Sequence, residues 1–427
     1  MGFTGPNSTQ GQGGTGGVEK STDKVMAIVM GGIAVVDKIA LNTILKCIQV
    51  SDAEAVGINA AYDANNDLLV FEHINEFFVD NPEGTLYVML VSQGTTMSAM
   101  LETATNAPAL LLDESTKREI KALAVVLNPA EEYTSVLEDG LDSQVIAAIP
   151  KAQALVDAMR IEGLDLDAIL LEGREFNGTI AAAQDLRELA APNVSVVIAA
   201  DPRVSTANAA FEPYAAVGTA LGSLCMRGVH ENLGSLELLK PVAAKTGREA
   251  YPLTDPATGR WLSAALSSGT KVSALSVADQ KALDDKGYIY AGRFPVDPNI
   301  NSPIGGVFFS GDHTCVSIAS DYNSISRNRV WNKAKRILNR ALVTKIRSVV
   351  GLAVNGFVAP STVAIWEARG FERVNQMYKD GEISNEPDFK IINKVFLPNE
   401  KVTTKLRIQP VGHAKSIDSE ITLVSSL

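Results

Sequence analysis

A histidine two residues ahead of a cysteine, in Asp312-His313-Thr314-Cys315, comes nearest in this chain to a nucleophile beside its base. Thiol catalysis needs a thiolate, a base to generate it and a third group to orient that base. The sequence offers no orienting group at a recognisable spacing and no GxSxG elbow. His313 therefore reads as a turn residue and Cys315 as a buried strand residue. The run Gly11-Gln12-Gly13-Gly14-Thr15-Gly16 has the form of a dinucleotide fingerprint. That motif works between a strand and a helix, where helix amides meet a pyrophosphate. Here the glycines precede the first strand pattern, so they read as a flexible arm. No GxxxxGK[ST] loop is present.

Carboxylates gather at Asp63–Asp67, Glu131-Glu132, Glu138–Asp142 and Asp284-Asp285. These positions suit solvated loops and helix N-termini. Asp63-Ala64-Asn65-Asn66-Asp67 lacks the glycine and the closing glutamate of a calcium loop. Cys47, Cys225 and Cys315, like His73, His230, His313 and His413, are too scattered for a metal site or a disulfide framework. The expectation is a protein with no catalytic residues, no cofactor and no metal.

Charge carries more information. From Tyr322 to Trp366 there is no Asp or Glu, while Arg327, Arg329, Lys333, Lys335, Arg336, Arg340, Lys345 and Arg347 all fall inside the stretch. The whole chain has a formal net charge of −11, which argues against broad nucleic-acid binding. A local reversal of this size points to a partner of opposite sign, for which nucleic acid is one candidate and an acidic protein surface, a neighbouring copy included, the better one given the total charge. No apolar run reaches about 18 residues, so no membrane span is expected.

These residues must be positioned by elements that the pattern also suggests. A chain of 427 residues implies more than one core. Residues 1–22 form an extended N-terminal arm too rich in glycine to bury a core. Residues 23–290 alternate apolar runs with amphipathic ones. Strands are expected at Val25–Val35, Thr85–Val91, Lys121–Leu127, Ala168–Leu171 and Val194–Ala200. Helices are expected at Met97–Thr105, Ser143–Ile161, Ile180–Ala190 and Ala216–Asn232. This rhythm predicts an α/β domain with a mainly parallel sheet.

Residues 246–290 are an irregular connection holding a capped helix at Ser276–Lys286, and Tyr288–Phe294 reads as a short strand. Residues 291–427 form a second, α+β unit. It should have strands at Val307–Phe309 and Cys315–Ala319, helices at Asn328–Val350 and Pro360–Gly370, and an alternating strand at Val402–Ile408. A last extended segment follows at Ile417–Val424. A lone terminal strand leaves an edge that a neighbouring copy could complete.

Gly287-Tyr288-Ile289, Asp312-His313-Thr314, Ser320-Asp321-Tyr322 and Arg327 to Ala334, with Ile408-Gln409-Pro410-Val411 and Ile421-Thr422-Leu423, resemble the C-terminal domain of contractile tail sheath proteins, most nearly those of Mu-like phages. The resemblance covers about 150 C-terminal residues, a fraction within the size of one domain. It implies a structural subunit that stacks in hexameric rings around an inner tail tube and contracts to drive the tube through an envelope. Baseplate and tail terminator proteins would be further partners. The subunit would be assembled in the bacterial cytoplasm into a virion tail or an injection particle.

The resemblance also implies N- and C-terminal arms that exchange strands, with Phe3, Val18, Ile417, Ile421 and Leu423 on them. On charge alone, Arg329, Lys333, Arg336 and Arg340 are the candidate tube-facing residues. The alternative is a doubly wound enzyme binding a small ligand at its strand C-terminal ends, where Asn128, Glu172 and Asp201 fall. A tail tube or baseplate component is a third reading, opposed by the large α/β region.

Overall fold

The computed structural model describes residues 22–177, 179–236, 251–293, 305–392, 396 and 400–415. Both terminal arms, with Phe3, Val18, Ile417, Ile421 and Leu423, lie outside the described residues.

The α/β part is a six-stranded sheet of β1 (Val25–Gly32), β2 (Ile44–Cys47), β3 (Thr85–Ser92), β4 (Ala122–Val126), β5 (Ala168–Glu172) and β6 (Val194–Val197). The spatial order is β2-β3-β1-β4-β5-β6. β1 runs parallel to β3, with Val25 opposite Thr85, and parallel to β4, with Met26 opposite Ala122. β2 alone is antiparallel, closing the edge beside β3. The progression reverses between β1 and β4, which makes the sheet doubly wound.

Residues Met26–Met30, Leu86–Leu90 and Ala122–Val126 are essentially inaccessible. A strand covered on both faces has no reason to alternate, and that is why these segments read as unbroken Val, Ile, Leu and Ala. Helix Val217–Met226 packs on β1, β4 and β5 and is itself covered by helix Val70–Asp80. Helices Met97–Glu102 and Ser143–Ile161 pack together against β4, β5 and β6.

The first helix pair approaches closely because of two glycines four residues apart. A Cβ on Gly218 would lie 2.4 Å from the His73 carbonyl oxygen, and one on Gly222 would lie 2.6 Å from that of Phe77. No larger residue fits there without separating the backbones.

The far edge of the sheet is sealed by later chain. Ile289 inserts beside β6, its amide donating to the Val196 oxygen while the Ile198 amide donates back to Ile289. Cys315 bridges to Ala191 on the same edge. The sequence had suggested a strand at Cys315–Ala319, but only this single bridge forms. A helix was likewise expected at Ile180–Ala190. The chain makes two short 3-10 turns instead, at Ile180–Ala182 and Leu186–Glu188. There the Asp185 side chain accepts from the Arg187 amide, and Lys286 Nζ donates to the Ile180, Ala181 and Ala183 carbonyls. The local Asp185 bond competes with helical ones, and the distant lysine occupies carbonyls that a helix would use.

The C-terminal part has its own small core. Helix Ile325–Leu342 supplies Val330, Ala334 and Leu338; helix Pro360–Lys379 supplies Val374 and Met377. Ile383 and Phe389 complete it. Phe389 belongs to β7 (Asp388–Ile392), which pairs antiparallel with β8 (Thr403–Arg407). The second helix does not stop at Gly370. It runs nine residues further, and Gly370 sits where the Phe389 ring presses, 2.4 Å from where a Cβ would lie.

Candidate functional site

The strand C-terminal ends are filled by the protein's own backbone. Asn128 donates through Nδ2 to the Gly31 carbonyl at 3.2 Å. Glu172 is buried and accepts the Leu127 amide at 2.9 Å and the Ala215 amide at 3.4 Å. Burial raises its pKa against the pull of Arg174. Asp201 accepts the Trp261 amide at 2.9 Å and the Arg203 amide at 3.0 Å. The point of reversal between β1 and β4 is closed as well, since a Cβ on Gly31 would meet the Leu127 oxygen at 2.2 Å. The three polar residues that suggested a ligand crevice are thus holding loops, and the small-ligand reading is corrected on that ground.

His313 pairs with the Asp284 carboxylate, as Lys415 does at 3.3 Å. Burial pushes the Cys315 thiol up to about 12, the reverse of an activated nucleophile.

The basic helix is where the expected geometry changes most. Arg329 is 1% exposed and donates to the carbonyls of Leu224, Arg227 and Gly228. It thereby caps the C-terminal end of helix Val217–Met226, where a cation meets the negative pole of the dipole. Lys333 Nζ lies 2.6 Å from Glu382 and 3.1 Å from Asp23. Arg336 spans two carboxylates, Nη1 reaching Asp167 at 3.2 Å and Nη2 reaching Asp23 at 3.3 Å. Lys335 meets Asp165 at 2.6 Å. Burial works to raise the Asp23 pKa, but Lys333 and Arg336 outweigh it and hold it below the usual carboxylate range. At Asp167 burial wins over Arg336, and the pKa is raised.

Of the four candidate tube-facing cations, Arg329, Lys333 and Arg336 thus have partners within the chain. Helix Ile325–Leu342 packs against the sheet, with Arg329 held by backbone carbonyls and Lys333 and Arg336 by carboxylates far away in sequence. Arg340, on the last turn, is exposed.

Beyond that helix the surface opens. Val343, Ile346, Val349, Leu352 and Val354 are exposed, Val349 completely. Lys345 and Arg347 lie among them. A groove of about 870 Å³ runs between this segment, Trp366, Ile391 and Val402. Next to it, four of the five β8 residues are exposed. Among the described residues no strand pairs with the outer edge of β8. On β7 the Ile391 amide is taken by Glu367 at 2.8 Å. The surface thus combines an apolar groove, cations at its rim and a strand edge, which can hold a protein segment. Sequence reasoning found β8 and the positive charge. It missed β7 and the groove, because the groove's walls come from segments about 50 residues apart that only folding brings together.

The family description "DUF2586, N-terminal domain" matches residues 4–296 and "DUF2586, C-terminal domain" matches residues 321–426, and the chain belongs to this family. No protein of curated function matches the sequence. Solved structures do match over the full length. The chain is similar to a subunit of the six-fold symmetrised baseplate of the anti-feeding prophage, at 13% identity and TM-score 0.57 over 99% of each chain. It is similar to one in the same baseplate in the contracted state, at 12% identity and TM-score 0.59, over 99% of this chain and 98% of that one. It is also similar to one in the contracted sheath complex of an extracellular contractile injection system, PVC. That match has 14% identity and TM-score 0.54, over 100% of this chain and 98% of the other. At such identities the likeness establishes a shared fold.

Proposed function

We propose that this DUF2586 chain is the structural subunit of a contractile sheath that polymerises around an inner tube and drives it through a target envelope. The observation that supports this best is the fold likeness across 98–100% of chains taken from contractile assemblies. The exposed edge of β8, unpaired among the described residues, adds to it, because a strand from a neighbouring copy would complete the sheet. On this reading the chain divides into an arm at 1–22, an outer α/β domain at 23–290 and an inner domain at 291–427. The arms carrying Phe3 and Val18, and Ile417, Ile421 and Leu423, are the exchanged strands. Arg340, with Lys345 and Arg347, is the tube-facing set in place of Arg329, Lys333 and Arg336, which have partners within the chain. Partners are further copies, a tube protein, and baseplate and terminator proteins, in a phage tail or an injection particle. Head-to-tail exchange gives a heterologous interface, which repeats into rings or helices.

Negative-stain microscopy of the purified protein tests the class. Long hollow cylinders are expected, lost when residues 416–427 are deleted while the circular dichroism stays unchanged. Compact monomers at all concentrations would reject the reading.

A further inference from the structure

Four elements meet at one half-buried cluster of charge. Asp23 sits in the turn Thr22–Lys24 that leads into β1. Asp167 immediately precedes β5, its amide bonded to the Lys121 oxygen ahead of β4. Lys333 and Arg336 lie one turn apart on helix Ile325–Leu342, together with Asn332, which donates to Asp167 at 2.8 Å. Glu382, 4% exposed, lies in the loop between helix Pro360–Lys379 and β7. Its own amide is held by the Met377 carbonyl at 2.8 Å.

We infer that Asp23, gripped by Lys333 and Arg336, is the joint through which a pull on residues 1–21 reaches the C-terminal helix and β7–β8 hairpin rather than ending in the parallel sheet. The source of the pull rests on the exchanged-arm reading above; the joint itself does not. β1 is already paired along eight residues with β3 and five with β4, so the sheet needs no further anchor at Asp23. What the cluster adds is connection. One ammonium joins Asp23 to Glu382, and one guanidinium joins Asp23 to Asp167. The second bridge uses two separate nitrogens of one guanidinium, Nη1 on Asp167 and Nη2 on Asp23, and a lysine at 336 has only one nitrogen for both places. Apolar contact also crosses this boundary, with Ile325 of the helix in the main core and Val229 in the C-terminal one, and the charged cluster adds ion pairs that tie Asp23 and Asp167 to the helix.

Hydrogen exchange on the full-length protein in its unassembled form tests the joint. Asp23→Asn should quicken exchange about ten-fold in Ile325–Leu342 and in residues 382–392, leaving β4 and β5 unchanged. Asp23→Glu should restore protection, and Arg336→Lys should behave like Asp23→Asn. Faster exchange confined to residues 22–26, or protection retained in Arg336→Lys, would overturn the inference. Wild-type protein that forms no cylinders would remove the sheath reading while leaving this exchange result standing.

Discussion

β1 is buried along seven of its eight residues, whereas β8 is exposed along four of its five. The first belongs to a sheet with helices on its faces and sealing chain at its far edge. The second is half of a two-stranded hairpin whose outer edge is unpaired among the described residues. An isolated hairpin is at best marginal in water, and three strands or a packed helix are needed to hold it. Helix Pro360–Lys379 packs on β7. The described residues thus cover the α/β sheet on its faces and far edge, while β8 stays exposed.

The sharpest test of this difference is in the completed region. Phe77, fully buried under helix Val217–Met226, should cost about 4 kcal/mol on replacement by Ala, measured by urea unfolding. A loss below about 1 kcal/mol would mean that the sheet's helical cover is far looser than its packing indicates.

Acid should act next. His73 is buried, its Nδ1 accepts the Gly218 amide at 3.2 Å, and burial lowers its pKa to about 4. Below pH 6.5 the unfolded chain binds a proton that the folded chain refuses. Stability is thus complete above the unfolded value and falls as pH drops toward 4, by about 3 kcal/mol in all. His73→Gln should flatten that part of the pH profile, and an unchanged slope would place the acid sensitivity elsewhere.

A smaller effect should mark the C-terminal core. Gly370→Ala gains helix propensity but drives a methyl into the Phe389 ring, for a net loss of about 1 kcal/mol. Limited proteolysis should then cut within residues 380–410 while the α/β part stays intact. Coincident loss of both parts would show that they unfold as one.

Smallest of all in the unassembled subunit are Val349→Ser and Val354→Ser. Both residues are exposed, so unfolding should change by less than about 0.5 kcal/mol. Cylinder formation should nevertheless weaken, read from sedimentation against concentration. Unchanged assembly would mean that this patch stays uncovered in the polymer.

Legibility followed the same division. The five parallel strands were placed within a few residues, and helix Ser143–Ile161 fell on its expected bounds with Pro150 inside it. Helix Val70–Asp80 and the edge strand β2 were missed, the strand because four residues carry too little pattern. Gly370 was taken as a helix stop because glycine commonly ends helices. Nothing local reveals that Phe389 would occupy the space its missing side chain leaves.

By itself, the sequence determined the doubly covered sheet, since an unbroken apolar run has only one stable destination in water. It also determined the acidic total, the basic stretch and the absence of any phosphate-loop motif. Only tertiary structure decided where the basic stretch points. Arg336 meets an acid 313 residues away, and a local count of charges cannot see a partner at that distance. Burial and pairing are properties of the folded neighbourhood, and they gave Arg329 to a helix end and Lys333 and Arg336 to the charge cluster at Asp23.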